Sequence, residues 1–311
     1  MASLVARLHS DSAGSQEQQR SQEFAAAELS HLMIKNVDNR VVITRAGAIE
    51  PLVALLRSGS AGAQEQAAAA LSNLAYGNAD NRVAIAGAGA IEPLVALVRG
   101  GSAGAQESAA AALGHLAYGN DDNRVAIARA GAIEPLVALL RSGSAWAQEQ
   151  AAAALGHLAY GNADNQEAIA RAGAIEPLVA LVRNGSAEAQ EAAAAALRTL
   201  AVDNVDSQAA IARAGAIEPL VALVSSGSEK AQEEAAIVLS YLALQTADNR
   251  VAIARAGAIE PLVALLRSGS AEAQAEAAAA LSNLATGNAD NRVAIARAGA
   301  IEPLVALVSS G

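Results

Sequence analysis

The sequence predicts an all-α solenoid with three helices in each repeat, and three observations carry that expectation. All seven prolines (Pro51, Pro93, Pro135, Pro177, Pro219, Pro261 and Pro303) lie 42 residues apart, each inside the phrase GAIEPLVAL. A fixed period of that length marks stacked supersecondary units that pack on their neighbours rather than around one globular core. No segment alternates apolar and polar residues as a half-buried strand would, whereas apolar residues recur at helical spacing. The chain is 53% hydrophobic but only 2% aromatic, so Ala, Leu, Val and Ile must build the core, and small side chains suit helices packed closely together.

Residues 78–119 show the elements in order. Asp80-Asn81 offers an N-cap for a short first helix over 82–86. Gly89 ends it, because a left-handed backbone at a helix C-terminus favours glycine. A second helix starts at Glu92-Pro93, where the missing proline N–H costs nothing in the first turn, and ends at Gly100-Gly101. Ser102 is the expected N-cap of a third, longer helix over 103–118, closed by Gly119. The register assigns 1–36 to a partial, divergent first repeat lacking helix one, 37–288 to six complete repeats, and 289–311 to a partial repeat ending after helix two. The expectation is one domain over 1–311, with the polar residues between Ser10 and Gln22, and Phe24, Met33 and Lys35, marking an N-terminal cap.

The phrase NRVAIARAGAIEPLVALLRSGSAEAQ, followed by AAAALSNLA, strongly resembles the armadillo repeat, and the resemblance covers essentially the whole chain. It implies a right-handed superhelix whose third helices line a concave groove, and extended peptides as ligands. In that family an asparagine of helix three serves peptide backbone, and here that role falls on Asn73 and Asn283, with His115 and His157 as substitutes. Importin-alpha-like members place tryptophan four residues earlier, where this chain has Ala69, Ala111, Ala153, Ala195, Ile237 and Ala279. Classical nuclear import is therefore not expected.

Near-identical repeats make the chain its own comparison. Constant columns are packing, as on the face of helix three that gathers Ala67, Ala70, Leu71 and Leu74. A second stripe varies, reading Trp146, Gln150, Ala153, His157 and Tyr160 in one copy. All four tyrosines (Tyr76, Tyr118, Tyr160, Tyr241), the tryptophan, and His31, His115 and His157 fall on it, with Thr199 at the position of Asn73. Amphipathic rings beside hydrogen-bonding groups compose binding hot spots. An amide both donates and accepts, so a ladder of amides can satisfy a peptide backbone whatever its side chains. Beside the stripe, Glu65, Glu107, Glu149, Glu191 and Glu233 form an acidic rim that could steer a basic peptide, the alternative being a solvated helix face. Arg57, Arg99, Arg141, Arg183 and Arg267 read as structural charges closing helix two.

Composition narrows the function classes. A net charge of −10 argues against nucleic acid as partner, and the absence of cysteine excludes disulfides and thiolate metal sites. The apolar runs fall far short of the roughly 18 residues a membrane span needs, and the N-terminus carries no secretory pattern. The expectation is an intracellular, cytoplasmic protein, the nucleus remaining open. Gly87-Ala88-Gly89 lacks the strand and third glycine of a dinucleotide loop, and the histidines lack metal-ligand spacing, so no cofactor, metal or catalytic residue is expected. Asn184-Gly185-Ser186 matches a glycosylation acceptor but reads as a turn. The chain therefore reads as a non-enzymatic interaction scaffold. The alternatives are self-association through the C-terminal helix, at Leu304, Leu307 and Val308, or an engineered consensus-like array.

Overall fold

The computed structural model describes residues 1–8, 15–36 and 38–310, which form helices joined by short turns, with no strand among them. In chain order these are α1 (Ala2–Leu8), α2 (Gln16–Lys35), α3 (Asp38–Arg45), α4 (Ile49–Ser58), α5 (Ala61–Ala75), α6 (Ala79–Gly87), α7 (Ile91–Gly100) and α8 (Ala103–Ala117). Next come α9 (Asp121–Arg129), α10 (Ile133–Ser142), α11 (Ala145–Ala159), α12 (Ala163–Arg171), α13 (Ile175–Asn184), α14 (Ala187–Ala201) and α15 (Val205–Arg213). The last are α16 (Ile217–Ser226), α17 (Glu229–Gln245), α18 (Ala247–Arg255), α19 (Ile259–Ser268), α20 (Ala271–Ala285), α21 (Ala289–Arg297) and α22 (Ile301–Ser310). From α3 to α20 the short–medium–long triplet recurs as the sequence predicts. The contacts divide into two compact units, Met1–Asn165 and Gln166–Gly311, with the boundary inside α12.

Each triplet is cut by local chemistry. The serine before helix three caps it, as where Ser102 Oγ accepts from the Ala105 amide at 3.1 Å. Helix one begins earlier than expected: its cap is Asn78, whose side chain accepts from the Asn81 N–H, and not Asp80-Asn81. Asn81 instead turns inward, is buried, and donates to Leu74 O at 2.8 Å. Between helices one and two, Gly89 adopts φ 77°, with the Ala90 N–H bonded to Ile85 O, the six-to-one bond of a Schellman stop.

After helix three the same left-handed step falls on Gly77, Gly119, Gly161 and Gly287, but the second unit replaces it twice. Asp203 takes the conformation at φ 51°, a small cost for a residue with a Cβ. At Gln245 the chain does not take it, and α17 runs to 17 residues where α5, α8 and α20 have 15. Helix length here follows from one residue type.

In the first unit α2, α5, α8 and α11 pack in succession, and in the second α14, α17 and α20 do the same. Alanine makes the approach close: a Cβ built on Gly114 would meet the Ala154 backbone at 3.3 Å. Helix two buries Leu94, Val95, Leu97 and Val98 and packs on the third helix of its repeat, where Leu113 and Leu116 are buried as well. The polar residues Gln16 to Gln22 are the opening turns of α2, which is extended at both ends to 20 residues and capped by Ser15. Ser10 to Gly14, which open that expected insertion, lie outside the described residues.

Candidate functional site

Three tyrosines at the C-cap of helix three make the site. Tyr76, Tyr118 and Tyr160 follow α5, α8 and α11, all in the first unit, and are 56–59% exposed. The guanidinium of Arg40 lies over the Tyr76 ring at 5.1 Å, Arg82 over Tyr118 at 5.7 Å, and Arg124 over Tyr160 at 5.6 Å. The histidine of the next repeat meets two of these rings edge-on, His115 against Tyr76 at 5.0 Å and His157 against Tyr118 at 5.1 Å. Tyr76 and Tyr118 are thus held from two sides and Tyr160 from one, while each keeps an exposed surface. Trp146, at the start of α11, is also exposed, and Gln150 donates from Nε2 to Glu149 Oε1 at 3.0 Å.

Arg40, Arg82 and Arg124 were not among the residues expected from the sequence. They sit on helix one, with Arg82 and Arg124 buried and donating to the ends of the preceding third helices, at Ala75 O and Ala117 O. A signal was present. Arginine stands 36 residues before each of these tyrosines, whereas Gln166 and Gln208 stand 36 residues before Val202 and Leu244.

The asparagine and histidine column has a structural half. Asn73 Nδ2 donates to Ser30 Oγ at 2.9 Å, and Asn283 Nδ2 donates to Ser240 Oγ at 2.8 Å, each on the preceding third helix. His157 Nδ1 lies 3.0 Å from Gly114 O, so that ring carries its proton on Nδ1, while His115 Nδ1 lies 2.9 Å from Ser72 Oγ, which can donate or accept, and 3.1 Å from Ser72 O. What remains for a ligand on Asn73, Asn283 and His157 is an acceptor, Oδ1 or Nε2, rather than the donor–acceptor pair that the amide ladder expects. Burial holds both histidines below the ordinary imidazole pKa; their carbonyl bonds oppose this, and neighbouring arginines reinforce it.

Thr199 departs further. It is buried, and its hydroxyl donates to Ala195 O at 2.9 Å within its own helix, so it presents nothing to a groove.

Most of the acidic rim caps helices. Ser102 Oγ donates to Glu65 at 3.1 Å, Ser144 to Glu107, and Ser228 to Glu191 at 2.8 Å, each bond running from the N-cap of the next third helix. Glu65 also fills the space a side chain at Gly104 would need, so the carboxylate rests on the positive end of that helix. Glu233 pairs with Lys230 at 2.6 Å. The arginines ending helix two reach across as well: Arg57 Nη2 donates to Gly89 O at 2.7 Å and Arg267 to Gly299 O at 2.9 Å, at the close of the next first helix.

In the second unit the third helices carry charge at the equivalent positions. Arg198 binds the buried Glu234, which also meets Lys230 at 3.4 Å. Tyr241 and Glu276 lie within the field of this group. Burial raises both pKa values, and the surrounding carboxylates raise that of Glu276 further. At the C-terminal helix, Leu304 and Leu307 are half-buried and Val308 is 83% exposed, joined by Ile301 and Val305 at 61% each, which the sequence reading left out. Among the described residues no three His, Asp or Glu side chains gather to hold a metal, and no single helix is long and apolar enough to cross a membrane.

Comparison with known proteins gives the same architecture a family. The family model for the plant U-box protein ARM repeat region matches residues 56–311. An engineered protein of known crystal structure is similar at 38% identity and TM-score 0.85, over 99% of this chain and 73% of its own. A designed armadillo repeat protein matches at 33% identity and TM-score 0.69, over 78% and 99% of the two chains. Another, solved in complex with the peptide (KR)4, matches at 30% identity and TM-score 0.67, over 78% and 98%. Among curated proteins none matches. A family model spanning most of the chain, together with helix triplets that recur at the same 42-residue period, shows that this protein belongs to the armadillo-repeat family.

Proposed function

We propose that the protein is a non-enzymatic interaction scaffold that takes an extended peptide or protein segment along the face formed by its third helices. The observation that carries this reading is the row of three exposed, laterally supported tyrosines, one per repeat, in the first unit. A ring already held in place loses little freedom on binding, which is what lets aromatic anchors contribute strongly. Asn73 and His157 would add acceptors for peptide N–H groups, His115 would add its Nε2 beside them, and Tyr241 and Asn283 would serve a segment on the second unit. The designed relative solved with (KR)4 supports a peptide as ligand class. In this chain the carboxylates beside Tyr241 are where a basic residue would be favoured.

Selection from a random peptide library on the full chain tests the reading. Peptides should be enriched, and Tyr118→Ala should weaken the best of them at least fivefold with helicity by circular dichroism unchanged. No enrichment, or equal binding by that variant and by Tyr76→Ala and Tyr160→Ala, would sink it.

A second reading has its own observation, the exposed Ile301, Val305 and Val308 on α22, against exposures of 2–5% at the equivalent Ile91, Val95 and Val98. Self-association through this face would appear in sedimentation over a concentration range, and a strict monomer at high concentration would exclude it.

A further inference from the structure

We propose that the tyrosine row of the first unit selects proline-rich segments in the polyproline II conformation, with proline recurring every third residue. The inference rests on the scaffold reading above and names the ligand class for it. Three features of the row converge.

The first is spacing. Tyr76, Tyr118 and Tyr160 occupy the same position on α5, α8 and α11, which pack directly on one another in that order. Neighbouring helices pack about 8–10 Å apart. A polyproline II chain rises about 3.1 Å per residue with three residues per turn, roughly 9 Å per turn. One turn therefore advances by one repeat, and every third residue meets the next ring. A β-extended peptide, at about 3.3 Å per residue with side chains alternating between faces, brings its third residue round to the wrong side.

The second is hydrogen bonding. The hydroxyls of all three tyrosines make no hydrogen bond among the described residues. A polyproline II backbone has no internal hydrogen bonds, so its carbonyls are free to accept from such hydroxyls. Proline has no N–H to leave unpaired on binding.

The third is electrostatics. Each ring has a guanidinium over one face, from Arg40, Arg82 or Arg124. A cation there already draws on the ring quadrupole, so a lysine or arginine on the opposite face would be seated against a like charge. The neutral pyrrolidine ring meets no such opposition. The rim carboxylates of the first unit are engaged by their neighbours, Glu65 and Glu107 accepting from helix-capping serines and Glu149 from Gln150, and Glu233, Glu234 and Glu276 belong to the second unit. Aromatic rings that stack on a pre-formed polyproline helix are a general mode of recognition, because the ligand loses little conformational freedom.

The test is fluorescence anisotropy on the full chain with three labelled probes. These are four Pro-Pro-Leu triplets, the same peptide with alanine at every proline, and the basic peptide (KR)4. The proline probe should bind at least tenfold tighter than either of the others. Tyr118→Ala should weaken it at least fivefold, and Tyr118→Phe, which keeps the ring and removes the hydroxyl, two- to fivefold with the fold intact. Equal or tighter binding of the alanine probe or of (KR)4 would overturn the inference, as would an affinity unchanged by both variants. Those results would leave the scaffold reading in place if library-selected peptides still bind. If the library yields nothing as well, both fall.

Discussion

The two units share a backbone pattern and differ in the face their third helices present. In the first, Tyr76, Tyr118 and Tyr160 project from rungs made by Arg40, Arg82, Arg124, His115 and His157. In the second, the tyrosine positions hold Val202, Leu244 and Thr286, and the face is organised by the Arg198–Glu234–Lys230 ion network beside Tyr241 and Glu276. The difference shows that an armadillo framework tolerates wholesale exchange of one stripe because the packing columns do not depend on it. Every fully buried leucine of helix three in one unit has its counterpart in the other, as Leu116 has in Leu242.

That comparison can be broken first at the core. Leu116→Ala and Leu242→Ala should each cost about 3 kcal/mol, read by urea denaturation, since both remove a fully buried side chain from the same column. Losses that differ by more than about half of that value would show that the two cores are not equivalent.

A smaller contrast lies in the buried asparagine of helix one. Asn123 Nδ2 donates to Leu116 O at 2.9 Å and to Arg82 O at 3.3 Å, tying two repeats together; in the second unit Asn291 makes the same pair of bonds, to Leu284 O at 2.9 Å and Arg250 O at 3.3 Å, and only Ser207 interrupts the column. Asn123→Ala should cost about 2 kcal/mol by leaving the Leu116 carbonyl without its donor, and Ser207→Ala under about 1 kcal/mol. Asn291→Ala should match Asn123→Ala, and losses at Ser207 as large as theirs would show that the asparagine tie adds nothing to this column.

Protons separate the units by sign. His115 and His157 are held below the ordinary imidazole value, so their contribution is present above about pH 6.5 and lost as pH falls through that value toward the folded-state pKa. All four histidines lie in the first unit. Glu276 is raised, so the second unit gains stability as pH falls through the folded-state pKa of that residue toward the ordinary carboxylate range. Hydrogen exchange at pH 7 and pH 5 should therefore show the first unit opening more readily at the lower pH and the second not. The effect should vanish in His115→Asn with His157→Asn, which copies the residue found at Asn73. Equal acid sensitivity in both units would refute the assignment.

The smallest expected effect is at the rim. Glu65→Gln keeps an acceptor for Ser102 but loses the charge on the helix N-terminus, and should cost about 0.5 kcal/mol, shrinking further in high salt. A loss that salt does not diminish would argue against the dipole as its cause.

Much of the fold was legible because each boundary is set by one or two residues: Ser102, Gly89 and Pro93 act locally, and repetition multiplies the signal. The cap at Asn78 is not legible in the sequence because Asp80 and Asn81 are equally good cap residues by type, and only burial shows that Asn81 turns inward to Leu74 O. The site was legible as a stripe but not as a set of contacts. Asn73 and His157 stand out by varying, yet their partners Ser30 and Gly114 lie 43 residues earlier, a distance at which one repeat looks much like the next.

The sequence by itself determined the period, the three helices of each repeat, the apolar columns and the face on which variation collects, since these follow from spacing and short-range capping. Tertiary structure alone decided which polar groups are free. Whether Glu65 steers a ligand or caps a helix, and whether Asn73 serves a peptide or its neighbour, depends on what the adjacent repeat places within hydrogen-bond reach. The physical reason is that hydrogen-bond pairing is fixed by positions in space to within a few tenths of an ångström, while a repeat in sequence fixes only the order in which those positions recur.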